Sequence, residues 1–67
     1  MDTQALFLSR EGALNAAIAV SQSLGYTPNA QDVQAYRDEK RGQTLGWSAF
    51  YRSGPRFYPV FEDQIEG

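Results

Sequence analysis

The chain has 67 residues and contains neither cysteine nor histidine. This is the length of one small domain, residues 1–67, and the lack of thiols and imidazoles excludes disulfides and the usual structural zinc sites. A formal net charge of −2 disfavours nucleic acid and anionic lipid as partners, while 42% hydrophobic residues are enough for a folded core.

The first apolar run, Ala5–Leu8, ends at Ser9. Its pattern fits either a buried strand or the first turn of a longer helix. We predict a strand, because Ser9 is a good helix N-cap and Gly12 would weaken a helix that continued through this point.

Helical periodicity is clearest from Arg10 to Leu24, where apolar residues recur at intervals of three and four positions. Gly25 suits the left-handed position that follows a helix, and Tyr26 suits the hydrophobic closure of a Schellman motif. The sequence therefore predicts a helix over 10–24, whose alanines allow close packing.

Residues 30–41 have two interpretations. The capping residues around Pro28 predict a second helix across this stretch. The same stretch also alternates, with Val33 and Ala35 on one face, as a strand over 32–38 would. We predict the helix, because proline-led capping outweighs a short alternation.

A β-hairpin is predicted near the C-terminus. Residues 44–52 alternate, residues 53–55 carry the turn signal Ser-Gly-Pro, and residues 56–62 form a returning strand. Pro59 cannot donate to a ladder, so its strand should lie at an edge or carry a bulge. Gly46 predicts either a bulge or the close approach of another backbone.

Both faces of this hairpin are partly apolar, so one should cover the helices and the other is a candidate contact surface. The acidic tail, residues 62–67, is expected to fray. Together the elements predict an α+β fold, a small single domain ordered β-α-α-β-β with a C-terminal aromatic hairpin. The alternative order is β-α-β-β-β, with a three-stranded antiparallel sheet.

The residues that usually carry catalysis are scarce. No histidine or cysteine is present to activate the serines, and Lys40 is the only lysine. The carboxylates of Asp38 and Glu39 are adjacent in sequence, as are those of Glu62 and Asp63, and neither pair resembles a metal-binding loop. No glycine-rich phosphate motif occurs. We therefore expect no enzymatic activity, no cofactor and no metal.

No apolar run approaches the roughly 20 residues that a membrane helix needs. The N-terminal residues 1–4 also lack the basic start of a signal peptide. On these grounds the chain is expected to be soluble and cytoplasmic, with no membrane partner.

Basic and aromatic residues interleave between positions 37 and 58, and such residues are enriched at interface hot spots. The candidate partner-binding residues are Trp47, Tyr51, Arg52, Arg56 and Tyr58, followed by Arg37 and Arg41. Their proposed role is anchoring through buried ring area and bidentate hydrogen bonds.

We expect a small non-enzymatic protein-binding or regulatory module that acts stoichiometrically on a protein partner. Chains of this kind are common among accessory proteins of phages and mobile elements, including inhibitors of host systems, although that is analogy alone. A homo-oligomer is a further alternative. The competing function is a winged-helix-like nucleic-acid regulator that uses the basic region 37–56.

Overall fold

The computed structural model describes residues 3–65, which form an α+β domain with one α-helix and a three-stranded antiparallel sheet. Helix α1 spans Arg10–Ser23, and the strands are β1 (Val33–Lys40), β2 (Gln43–Ser53) and β3 (Arg56–Pro59). The α+β class is therefore confirmed, in the β-α-β-β-β order that the sequence offered as its alternative.

The sheet has the order β1-β2-β3, so β2 is central and pairs with both neighbours. Two-residue turns join the strands. The first is Arg41 and Gly42, both with positive φ, as a type I′ turn requires. The second is Gly54 and Pro55, within the predicted turn, with φ of 64° at the glycine.

The predicted first helix is confirmed from its start at Arg10, and it ends at Ser23 with Leu24 as the C-cap. Ser9 Oγ accepts a hydrogen bond from the amide N of Gly12 at 3.0 Å, which caps the N-terminus. At the C-terminus Gly25 has φ of 94°, and the amides of Gly25 and Tyr26 donate to the carbonyls of Gln22 and Ser21. These two hydrogen bonds are those of a Schellman motif.

Residues 3–8 form an extended N-terminal arm. The arm is antiparallel to its neighbours at two isolated bridges, Gln4 with Phe61 and Phe7 with Trp47. The amide and carbonyl of Phe7 both bond to Trp47, each at 2.8 Å. The predicted strand over 5–8 is thus present as an extended segment held by bridges rather than by a continuous ladder.

The second helix predicted over residues 30–41 is wrong. The capping signal is real, since the Asn29 amide donates to the Asp32 carboxylate at 2.9 Å, but it produces only the short 3-10 helix Ala30–Asp32. From Val33 the chain is a strand, because pairing along β2 satisfies its backbone while Val33 is buried against the core.

Gly46 meets both expectations placed on it. The register shifts between Asp38 and Glu39, which leaves Leu45 as an extra residue on β2. A Cβ at Gly46 would lie 3.1 Å from both Leu6 Cβ and the Phe7 carbonyl oxygen, so the arm approaches this glycine closely. The edge position expected for Pro59 is confirmed as well, because Pro59 is the last residue of β3 and β3 is an outer strand of the sheet.

The core lies between α1 and the sheet. It consists mainly of small side chains, namely Ala5, Ala13, Ala17, Val20, Val33, Ala49, Tyr51 and Val60. Of the acidic tail, Glu62–Gln64 form a second 3-10 helix, and residues 66–67 lie outside the described residues. Within residues 3–65, no helix combines the length and apolar character required to cross a bilayer.

Candidate functional site

The two faces of the sheet differ in what covers them. Ala49 and Tyr51 point to the face on which α1 packs, because both belong to the core. Side chains alternate along a strand, and paired residues of an antiparallel sheet share a face. The residues of the other face, which we call the open face, are Gln34, Tyr36, Asp38, Lys40, Ser48, Phe50, Arg52, Phe57 and Pro59, with Leu6 of the arm beside Gly46.

Aromatic and aliphatic groups dominate the middle of the open face. The ring of Tyr36 meets that of Phe50 edge-on, with the centroids 5.6 Å apart. Tyr36 is 53% exposed and Leu6 is 48% exposed, while Phe50, Phe57 and Pro59 are half-buried among their neighbours. The face therefore offers apolar area to solvent at Tyr36 and Leu6, with the edge of Phe50 packed beside Tyr36.

Arg52 marks one end of the open face. Its guanidinium lies 4.9 Å from the centroid of the Phe57 ring and 3.4 Å from the carboxylate of Asp32. The cation–π contact and the ion pair hold this long side chain flat against the sheet. A guanidinium fixed in this way still has N–H groups that can donate hydrogen bonds to a partner. Because the side chain is already ordered, it loses little further conformational entropy on binding.

Asp38 marks the opposite end. One of its carboxylate oxygens is 3.4 Å from the hydroxyl of Ser48, which also lies 3.3 Å from the Tyr36 carbonyl. Ser48 is buried, so the interaction fixes Asp38 against the sheet. The open face thus has Arg52 at one end, an apolar centre, and Asp38 at the other end, followed by Lys40 at the hairpin turn.

The aromatic residues predicted for partner binding lie on the other face. Tyr51 is 8% exposed and Trp47 is half-buried, and both pack in or against the core under α1. Tyr58 is opposite Tyr51, with ring centroids 6.1 Å apart, and keeps 42% of its surface exposed.

The predicted basic residues are dispersed. Arg52 is on the open face, whereas Arg37 pairs in register with Trp47 and makes an ion pair of 3.2 Å with Glu39. Arg41 is at the tip of the β1–β2 hairpin, and Arg56 is exposed at the start of β3. The structure therefore does not bring the seven predicted residues into one site.

Sequence reasoning missed Tyr36 because the stretch around it was assigned to a helix. Phe50 and Phe57 carried a usable signal, since the alternation of each strand placed them away from the residues that share a face with Ala49. The missing information was which of the two apolar faces the helix would cover.

The structure also bears on two other kinds of site. A winged-helix-like arrangement needs a second helix after α1, and that arrangement is wrong because β1 occupies the position. In the part of the chain that the structure describes, no group of three or more acidic side chains is placed to hold a metal ion.

Comparison of the chain with protein-family models, curated proteins and solved structures gave no significant match.

Proposed function

We propose that this protein is a non-enzymatic binding module that acts stoichiometrically on a protein partner, with the open face as its contact surface. The observation that carries this proposal is that the sheet is apolar on both faces while α1 covers only one of them. The expected cytoplasmic location and a regulatory role, in which the chain blocks a surface of its partner, belong to the same proposal.

The composition of the open face supports a protein partner. Tyr and Arg are enriched at the centres of protein interfaces, where buried ring area and multiple donors combine. Tyr36 and Arg52 fill these roles, and Phe50 and Phe57 supply apolar area between them. A sheet face that is already formed by paired strands also avoids the ordering cost that a flexible loop would incur.

The charges on the open face disfavour nucleic acid. Binding to a phosphate backbone requires several uncompensated cations. Arg52 is already paired with Asp32, and Asp38 adds a negative charge to the same surface. Lys40 ends the same face beside Asp38, whose carboxylate offsets its charge, and Arg41 lies in the hairpin turn.

The proposal is tested by comparing Phe50→Arg with Gln22→Arg, which adds the same charge on the exposed side of α1. Each variant and the wild-type chain are immobilised, proteins captured from the native host are identified by mass spectrometry, and binding is titrated with the purified partner. We expect wild type and Gln22→Arg to bind equally, and Phe50→Arg to weaken binding by about tenfold or more, because it places a charge in the apolar centre.

Circular dichroism and thermal unfolding of each variant ensure that any loss of binding is measured on folded protein. A folded Phe50→Arg chain that retains the partner at wild-type affinity would remove the open face as the contact surface. Affinity that depends steeply on salt and is insensitive to Phe50→Arg would favour a phosphate-bearing partner instead.

A further inference from the structure

The described core is unusually thin for a folded chain. Four of its eight buried apolar residues are alanines, and the largest fully buried side chains are Val60 and Ser21. Larger apolar side chains, Leu6 and Tyr36 among them, are exposed. Domains of this size gain only about 3–5 kcal/mol from a single core and are commonly reinforced by disulfides, metals or self-association. With no cysteine or histidine, self-association is the reinforcement that remains most accessible to this chain.

We infer that the protein partner of the open face is a second copy of this chain, which packs its own open face against that of the first to form a homodimer. This inference rests on the proposed function, since it names the occupant of the same surface. A second copy is present wherever the chain folds, which an unrelated partner is not, so it can supply the missing apolar burial at the time of folding.

Sheets pack face to face in β-sandwiches, so the open face of one copy can be covered by the open face of a second.

Arg52 and Asp38 of the open face are complementary under two-fold symmetry. Arg52 and Asp38 lie six positions apart along the register, or about 20 Å at the usual rise of a strand. Consider a two-fold axis that lies in the plane between the two open faces and is perpendicular to the strands. It makes the strands of one copy run opposite to the corresponding strands of the other. It sets Arg52 of each copy over Asp38 of the other and brings Tyr36 close to Phe50 of the second copy.

The test is a charge exchange followed by sedimentation equilibrium. Arg52→Asp alone opposes two carboxylates at each end of the interface, and Asp38→Arg alone opposes two guanidinium groups. Because like charges across an interface are strongly unfavourable, we expect each variant to raise the dimer dissociation constant by about tenfold or more. In an equimolar mixture the carboxylate introduced at position 52 faces the guanidinium introduced at position 38, so we expect a heterodimer within about threefold of the wild-type constant.

The matched control is Arg56→Asp, which makes the same charge change at the start of β3 and should leave dimerisation unchanged. A wild-type chain that is monomeric at all concentrations, or a mixture that fails to associate although both variants are folded, would overturn the dimer. A monomer that still binds a heterologous protein and loses it on Phe50→Arg would overturn the dimer alone. A monomer with no such partner would overturn the proposed function as well.

Discussion

Replacing Arg41 with asparagine should make this protein more stable. Arg41 is a non-glycine residue in the left-handed region, with φ of 54°, at the first central position of the β1–β2 turn. That conformation costs an ordinary L-residue roughly 1–2 kcal/mol, and asparagine tolerates it better because its short side chain bonds locally. Nothing is lost in exchange, since no carboxylate among residues 3–65 lies within 4.0 Å of the Arg41 guanidinium.

We expect Arg41→Asn to increase the free energy of unfolding by about 0.5–1 kcal/mol, which in a domain of this size raises Tm by roughly 2–8 °C. Urea unfolding and a thermal scan, both at fixed protein concentration, measure the change. The control is Lys40→Asn, one residue earlier in extended β1, where asparagine has a poor strand propensity and should be neutral or destabilising. If both substitutions change stability alike, or if Arg41→Asn destabilises, the turn conformation is not the source of the cost.

Three further substitutions test the packing of the fold by urea unfolding. Ser9→Ala removes the helix cap and should cost about 1 kcal/mol, whereas no change would mean that the capping hydrogen bond contributes nothing in solution. Ala17→Leu should cost about 1–3 kcal/mol because Ala17 is fully buried between α1 and the sheet, and Ala19→Leu on the exposed side should stay within about 0.5 kcal/mol. Gly46→Ala should cost about 1–3 kcal/mol, since its Cβ would press on the arm at 3.1 Å, and a neutral result would show that the arm is easily displaced.

The sequence predicts the helix and the C-terminal hairpin well because each is specified by neighbouring residues. Ser9 and Gly25 supply the two ends of α1, and the Gly54 turn fixes the register of β2 with β3. Signals of this type depend on local hydrogen bonds and backbone sterics, which are the same in the isolated segment and in the folded protein.

The incorrect helix prediction over residues 30–41 shows how far signals from neighbouring residues can be relied on. The amide of Asn29 does donate a capping hydrogen bond to the carboxylate of Asp32, but a cap stabilises only the first turn of a helix. Beyond it, Val33 and Ala35 alternate toward α1 while their backbones pair with β2, a non-local gain that no single segment reveals. Tertiary pairing therefore overrode a real helix-starting signal.

For a related reason, the sequence predicts which residues share a face of the sheet but not which of the two faces is left open. The alternation of β2 separates Phe50 and Arg52 from Ala49 and Tyr51, so the two groups could be read from the sequence. Which group meets α1 depends on how Ala13, Ala17 and Ala49 pack together in the core, and residue types alone do not determine that packing.

The hydrogen bond from the Glu62 amide to the Thr3 carbonyl, at 2.8 Å, brings two distant parts of the chain together at one corner of the domain. Residues 3 and 62 are therefore neighbours in space, so a short linker between these two positions would leave the sheet undisturbed. New ends opened at Gly54 would then yield a circular permutant in which the arm and β3 belong to one continuous segment, and their pairing would no longer require closure of the longest loop in the chain.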